Sequence, residues 1–325
     1  MLQMRLVGSI VMVAMLAFAG CVQTRTSIVG ATDGEPGMSA GMLIVNLGSD
    51  AQDPAFAALR RAFVERNPGY DIRYEPAATS LASDRTTRIV FIQRGSGRMS
   101  LLPGGHESDV DVGDIVLMRP GDGASMDAEI DCLVFTSPEP LPVDLPAFVR
   151  PDWDENITDT VGGCATETGA YRRILLTWLE QNGAYVYHAL NAHRVRITDS
   201  FTHYHPVQGG FDEFYLVQMV QPNARIITSD RVDQIENPQS VSIEMVGSLL
   251  TETKLRVGDL VYLPRGVAHR GVGGVLAQVI AAPGFRPGAE IGLDHHLLAI
   301  SKRLGLSGRD ALPFNAAASV TAVVK

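Results

Sequence analysis

The spacing of four side chains limits this sequence more than anything else in it. In Thr202-His203-Tyr204-His205-Pro206 two histidines are separated by one residue. Alternate side chains of an extended strand share a face, so His203 and His205 point the same way, Tyr204 points the other, and two imidazoles can meet one ion. Glu213 stands eight residues after His205 and opens Glu-Phe-Tyr-Leu-Val-Gln. That run is rich in aromatic and β-branched residues and reads as the next strand, able to bring a carboxylate back beside the imidazoles. His269 follows Pro264-x-Gly266, a turn whose proline fixes φ and whose glycine tolerates positive φ. It would deliver a fourth ligand at the edge of another strand. Neighbours on a strand face opposite ways, so only one of Asp212 and Glu213 can join the set, and the glutamate has the longer reach. Three imidazoles and one carboxylate suit a divalent transition metal (Fe, Mn, Ni, Cu or Zn), whereas Ca or Mg would want oxygen ligands throughout. Four protein ligands leave one or two positions open for water, dioxygen or substrate.

His203-x-His205, the following Glu213 and then Gly258-x5-Pro264-x-Gly266-x2-His269 resemble the paired signature of the cupin superfamily. By that resemblance the metal ligands are His203, His205, Glu213 and His269, with Glu213 rather than Asp212 as the carboxylate. The fold it implies is mainly β: two double-stranded β-helix barrels with a few peripheral helices. The seven residues between His205 and Glu213 exceed the family's usual three or four, and Gly209-Gly210 lies in the excess. A repeat supports the second barrel. Val112-Gly113-Asp114-Ile115-Val116-Leu117 echoes Val257-Gly258-Asp259-Leu260-Val261-Tyr262, with Pro120 answering Pro264 one residue late. The chain thus resembles a two-cupin protein in which residues 42–136 form a degenerate unit without ligands and residues 185–284 form the metal-binding unit. Aligning the prolines sets Ser125 opposite His269, and counting back from the turn at Gly95 sets Arg88 about where the family's glutamate would be. His106 is the only histidine of that half. Arg88 and Arg98 are the groups there that a ligand could use.

The first twenty residues carry one charge, Arg5, followed by the mostly apolar run Leu6 to Phe18 and then Ala19-Gly20-Cys21. This is a secretory signal by length and flanks. It resembles a bacterial lipoprotein signal, which implies removal of residues 1–20, lipidation of Cys21 and a place in the cell envelope. An ordinary cleaved signal or an uncleaved anchor is the alternative. Residues 21–41, rich in Thr, Gly, Ser and Ala, read as a tether. The formal charge of −9 becomes more negative once Arg5 is removed, so bulk charge argues against nucleic acid and anionic lipid surfaces as partners. Membrane attachment would be through the N-terminal lipid alone. Cys132 and Cys164 then remain, and in an oxidising compartment they either pair or stay as two buried thiols.

Between these landmarks Met42 to Asn46 reads as a strand. A helix is expected over Asp53 to Arg66, capped by Asp53 with Pro54 in the first helical position. Residues 137–184 read as a linker and a helix, the helix placed at Thr166 to Gln181, where Tyr171, Ile174, Leu175, Trp178 and Leu179 recur at three and four. His188 and His193 fall outside the signature spacing and are taken as structural or supporting. The long connection Arg225 to Val257 is expected to form an extra hairpin or a lid over the barrel mouth. Residues 285–325 hold a helix, Leu293 to Leu304, and a small apolar tail. His295 and His296 in that helix should diverge by about 100°.

The resemblance implies an exported, metal-dependent enzyme acting on a small-molecule substrate, most simply a dioxygenase-like oxidoreductase in which Glu213 could double as general base. Decarboxylases and isomerases share such sites. A lipoprotein that holds a metal and a small ligand without turnover, or a structural envelope protein, is the reading from outside catalysis, because one barrel hosts many activities.

Overall fold

The computed structural model describes residues 41–49, 54–163 and 170–325. The signal segment, Cys21, most of the tether, Asp53 and Cys164 therefore lie outside the described residues.

Strand β1 (Leu43–Asn46) and helix α1 (Pro54–Arg66) come first. An upstream antiparallel sheet follows from β2 (Asp71–Leu81), β3 (Thr87–Arg94), β4 (Gly97–Leu102), β5 (Glu107–Val110), β6 (Ile115–Met118), β7 (Gly123–Ser137) and β8 (Phe148–Val149). Its order is β5-β4-β7-β3-β6-β8, with β2 also on β7. The downstream sheet contains β9 (Arg172–Leu176), β10 (Asn191–Asp199), β11 (His203–Tyr204), β12 (Asp212–Val220) and β13 (Arg225–Ser229). After two short helices, α2 (Val232–Glu236) and α3 (Val246–Leu249), come β14 (Thr251–Lys254), β15 (Asp259–Leu263), β16 (Ala268–Ala282), β17 (Ile291–Gly292) and helix α4 (Asp294–Leu304).

One long strand organises each sheet. The first third of β16 pairs with β11 and β13, and its remainder pairs with β10 and β12. A strand of fifteen residues can serve both sets of neighbours, which wraps the sheet into a barrel-like form. β7, of the same length, pairs with β4 near its start and with β3 towards its end. The repeat read in the sequence is also a repeat of turn geometry. Gly113 and Gly258 take φ of 101° and 89°. The Asp114 carboxylate accepts from the Asp111 N–H at 2.8 Å as the Asp259 carboxylate accepts from the Arg256 N–H at 2.7 Å.

The two sheets share a core. β1 crosses to the downstream sheet and pairs along β15, from Leu43 opposite Tyr262 to Asn46 opposite Asp259. Phe63 of α1 meets Phe135 of the upstream sheet edge-on at 5.9 Å and Phe214 and Tyr262 of the downstream sheet at 5.0 and 6.0 Å. Phe135 and Phe214 touch directly at 5.2 Å. Such edge-to-face pairs add to the burial of large apolar surface.

The helix expected over Thr166–Gln181 is absent from the described part of that span, where β9 stands instead. Its partner β10 aligns Arg172 with Val195 and Ile174 with His193. Ile174, Leu175 and Leu176 are all buried, so this apolar run is covered on both faces, and its three-and-four spacing comes from a covered strand followed by a turn. The connection Arg225 to Val257 contains the β13–β14 hairpin. Its helical insert buries Ile235 and Leu249 against Leu297 and Ile300 of α4. α4 ends at Gly305, whose φ of 68° suits a glycine C-cap. The rings of His295 and His296 lie 3.8 Å apart rather than diverging. Cys132 is a buried free thiol, its pKa pushed up to about 12 by burial.

Candidate metal centre

β11 is only two residues long, yet it is fixed from three sides. His203 stands directly opposite His269 on β16 and opposite Gly292 on β17. Just before it, the N–H and hydroxyl of Thr202 both donate to the Asp294 carboxylate at 2.7 Å. His205 is carried past the strand into the turn Pro206–Gly210, where the Gly210 N–H donates to the Pro206 carbonyl at 3.1 Å. The extra length before Glu213 is spent in this turn. Gly210 is required there, because a Cβ would lie 2.2 Å from the Pro206 carbonyl oxygen. Phe211 then stacks on the His205 ring at 3.9 Å. Glu213 enters on β12, flanked by Leu263 and Ala281.

These elements bring together the four residues singled out in the sequence. One ligand atom from each of His203, His205, Glu213 and His269 lies within 4.8 Å of every other, and none of the four residues is more than 3% exposed. Nε2 of His269 is 3.2 Å from one Glu213 oxygen, and Nε2 of His205 is 3.8 Å from the other. Nδ1 of His203 lies 3.2 Å from the Phe201 carbonyl and Nδ1 of His269 3.3 Å from that of Val267. A carbonyl only accepts, so each Nδ1 carries the proton and each Nε2 keeps its lone pair. All three Nε2 atoms and Glu213 Oε1 lack a hydrogen-bond partner. Burial holds His203 and His205 well below the usual histidine range, and the neighbouring His269 adds to this. Four buried acceptors turned on one point are costly without a partner. One cation would satisfy all of them, and the donor set fits a borderline divalent metal.

Asp212 and Glu213 have different surroundings. Asp212 turns away from the imidazoles. It accepts from the Asn67 amide at 2.6 Å, the Tyr262 hydroxyl at 2.8 Å, and the Arg265 backbone N–H and Nε at 2.8 and 2.9 Å. It joins α1 to the downstream sheet and has no capacity left for an ion.

The upstream sheet has no such cluster among the described residues. Arg88 stands between Met118 and Thr136, the places that correspond to Leu263 and Ala281 when counted from Gly113 and Gly258. The position of the carboxylate is thus filled by a guanidinium, which donates to the carbonyls of Ala82 and Asp122. Counted the same way, buried Ala124 holds the place of His269, and Ser125 is exposed. Arg98 lies at the surface, paired with Glu107 at 3.0 Å, and His106 is exposed.

A cavity of about 360 Å3 reaches Glu213, and its wall is mostly apolar. Ile174 and Leu176 of β9, Trp178, Phe285, Pro287 and Glu290 are among the residues that line it. No residue of the 230–250 insert lines it, so the lid expected from that stretch is instead a brace behind β11. Sequence reasoning missed Arg172 and Glu290 and set His193 aside. Arg172 lay inside the supposed helix, Glu290 belongs to no motif, and the burial of His193 depends on long-range pairing. Burial drives the His193 pKa well below its usual range, with Arg172 adding to the effect. Glu290 is 9% exposed. Burial, reinforced by Glu213, pushes the pKa of its carboxyl up to about 7, against the opposing pull of Lys325 and Arg172, neither of which closes to an ion pair with it.

No family model matches this sequence, and no curated protein matches it. Solved structures with a similar chain course include an oxalate decarboxylase of Lactobacillus farciminis in complex with formate. It is 14% identical over 77% of this chain and 85% of that one, with a TM-score of 0.45. A variant of Bacillus subtilis oxalate decarboxylase is 13% identical over 80% and 78% of the two chains, with a TM-score of 0.44. AerE of Microcystis aeruginosa is 10% identical over 66% and 86%, with a TM-score of 0.41.

Proposed function

We propose that this chain is a two-unit cupin of the cell envelope, lipid-anchored through Cys21, whose downstream unit is a metal-dependent oxidoreductase acting on a small molecule. One observation carries the catalytic reading: Glu213 both completes a buried set of four metal-ligating groups and lines a cavity large enough for a substrate. A metal that only held the barrel together would need no such opening, since structural sites are closed and catalytic ones keep a free position. His203, His205 and His269 would hold the ion as neutral ligands, their Nε2 atoms already stripped of competing hydrogen bonds. When bound, the ion would supply Lewis acidity or a path for electrons to substrate or dioxygen. Glu213 would offset the ion's charge and, as a residue of the cavity wall, could take a proton from a substrate held there. Phe211, stacked against His205, keeps water from that imidazole.

Elemental analysis of the purified protein tests the metal, with about one transition-metal ion per chain expected and none retained in His203→Ala. Dioxygen uptake on addition of substrate would then mark the oxidoreductase. Release of carbon dioxide without dioxygen uptake would replace it by a decarboxylase. Wild-type protein that binds no metal would end the catalytic reading.

A further inference from the structure

The cavity beside Glu213 has a wall that its metal-binding neighbour does not explain. Three aromatic rings continue outward from the candidate ligand His205. Phe211 stacks on His205 at 3.9 Å, Phe285 meets Phe211 at 5.3 Å, and Trp178 stacks on Phe285 at 3.9 Å. Trp178, Phe211 and Phe285 all line the cavity. Glu290 lines it too, buried and without a protein partner for its carboxyl among the described residues. The cavity is the direction from which a partner for that carboxyl can come.

We propose that this cavity takes a hydroxylated aromatic molecule, its ring lying along the Phe211–Phe285–Trp178 wall and its hydroxyl on Glu290. Size, wall and polar group each narrow the choice. A cavity of about 150 Å3 already holds benzene, so about 360 Å3 accommodates a substituted ring and is far larger than a two-carbon acid needs. Flat rings gain from offset or edge contacts with aromatic side chains beyond the burial of their area. A hydroxyl both donates and accepts, so it pairs with Glu290 whether that carboxyl is ionised or protonated. Arg172 and Lys325 line the cavity as well, so an acidic substituent on the ring is compatible with it, whereas an acid without a ring would leave the aromatic wall wet. The proposal rests on the assignment of Glu213 to the metal only for which end of the molecule reacts.

Trp178 is the reporter. The chain has two tryptophans, and the other, Trp153, is 72% exposed and away from this cavity. In a Trp153→Phe background the remaining indole, excited on the red edge of its absorption, reads occupancy as phenol, benzene or oxalate is titrated in. Phenol is expected to bind about tenfold more tightly than benzene, the usual worth of a hydrogen bond to a carboxyl group, and oxalate is expected not to displace it. Glu290→Leu should erase the preference for phenol over benzene, and Glu290→Gln, which keeps a hydrogen-bonding group, should restore most of it. Equal affinities for phenol and benzene in the unmodified cavity, or displacement of phenol by oxalate, would overturn the proposal, and neither result depends on how Glu290→Leu folds. Phenol binding does not need the ion. Protein that binds phenol but holds no metal refutes the metal centre and leaves this proposal standing; protein that holds metal and ignores phenol does the reverse.

Discussion

Asp212 and Glu213 are adjacent acids with opposite duties, because a strand turns successive side chains to opposite faces. Glu213 looks into the barrel at three lone pairs, and Asp212 looks out at Asn67, Tyr262 and Arg265. Conservative amides therefore separate the roles. Glu213→Gln should lose bound metal by elemental analysis while unfolding in urea near the metal-free wild type. Asp212→Asn should keep its metal yet lose about 3–5 kcal/mol, because removing one partner of a buried ion pair strands the other. The reverse pattern would exchange the two residues. Glu290 gives a pH dependence of definite sign. Its folded pKa of about 7 lies above the unfolded carboxyl value, so between those values the unfolded chain is ionised while the folded one still holds its proton. The contribution of Glu290 to the stability of the metal-free protein should therefore fall as pH rises from about 4.5 to 7, by an amount on the order of 3 kcal/mol, against the opposite trend of the buried histidines. Glu290→Gln removes that dependence, so its advantage over wild type in urea melts should be large at pH 8 and absent at pH 4.

At the scale of elements, the weakest link in the centre is β11, which has two residues and supplies one ligand from within and another just beyond. Its position is borrowed from α4: Asp294 accepts both hydrogen bonds from Thr202 and a third from the Asn315 N–H at 2.8 Å. Asp294→Ala should lower metal affinity by about tenfold or more, as loss of groups that orient ligands usually does. Competition against a chromogenic chelator would measure it, and unchanged affinity would show that pairing with β16 and β17 holds β11 unaided. The same scale shows what could be read in advance. The Gly258 to His269 segment was legible because each constraint in it is local: a glycine at positive φ, a proline in the turn, a strand between them. His203-x-His205 was legible because strand alternation needs no partner to be known. The span around Arg172 was misread because an apolar run covered on both faces can imitate helical spacing, and only its pairing with β10 distinguishes the two. Glu290 and the aromatic wall come from separate places, Trp178 after β9, Phe211 before β12, and Phe285 with Glu290 before β17, and no local pattern encodes that convergence.

Across the whole molecule, two sheets with separate repeats are held as one folding unit by what passes between them. β1 begins the described chain and ends on the edge of β15, covering backbone groups that would otherwise template association with other chains. Gln93 of the upstream sheet donates to the Val217 carbonyl, and Gln278 of the downstream sheet donates back to the Gly113 carbonyl, at 3.0 and 2.8 Å. Between these bonds and the Phe63 cluster lies a core to which both sheets contribute, so neither can lose its fold without exposing apolar surface of the other. That makes the unfolding of the two halves a single event. Trp153 stands beyond the upstream sheet, near Arg150 at 5.4 Å, and Trp178 stands at the downstream cavity, so each tryptophan reports on its own half. Urea titrations of Trp153→Phe and Trp178→Phe, followed by the fluorescence of the remaining indole, should give the same midpoint and slope in metal-free protein once each is referred to its own far-ultraviolet dichroism. Added metal should move both midpoints upward together, since an ion bound only to the folded state stabilises everything that unfolds with its site. A shift confined to the Trp178 transition would show that the upstream sheet folds on its own account, and that the shared aromatic core joins two units that are independently stable.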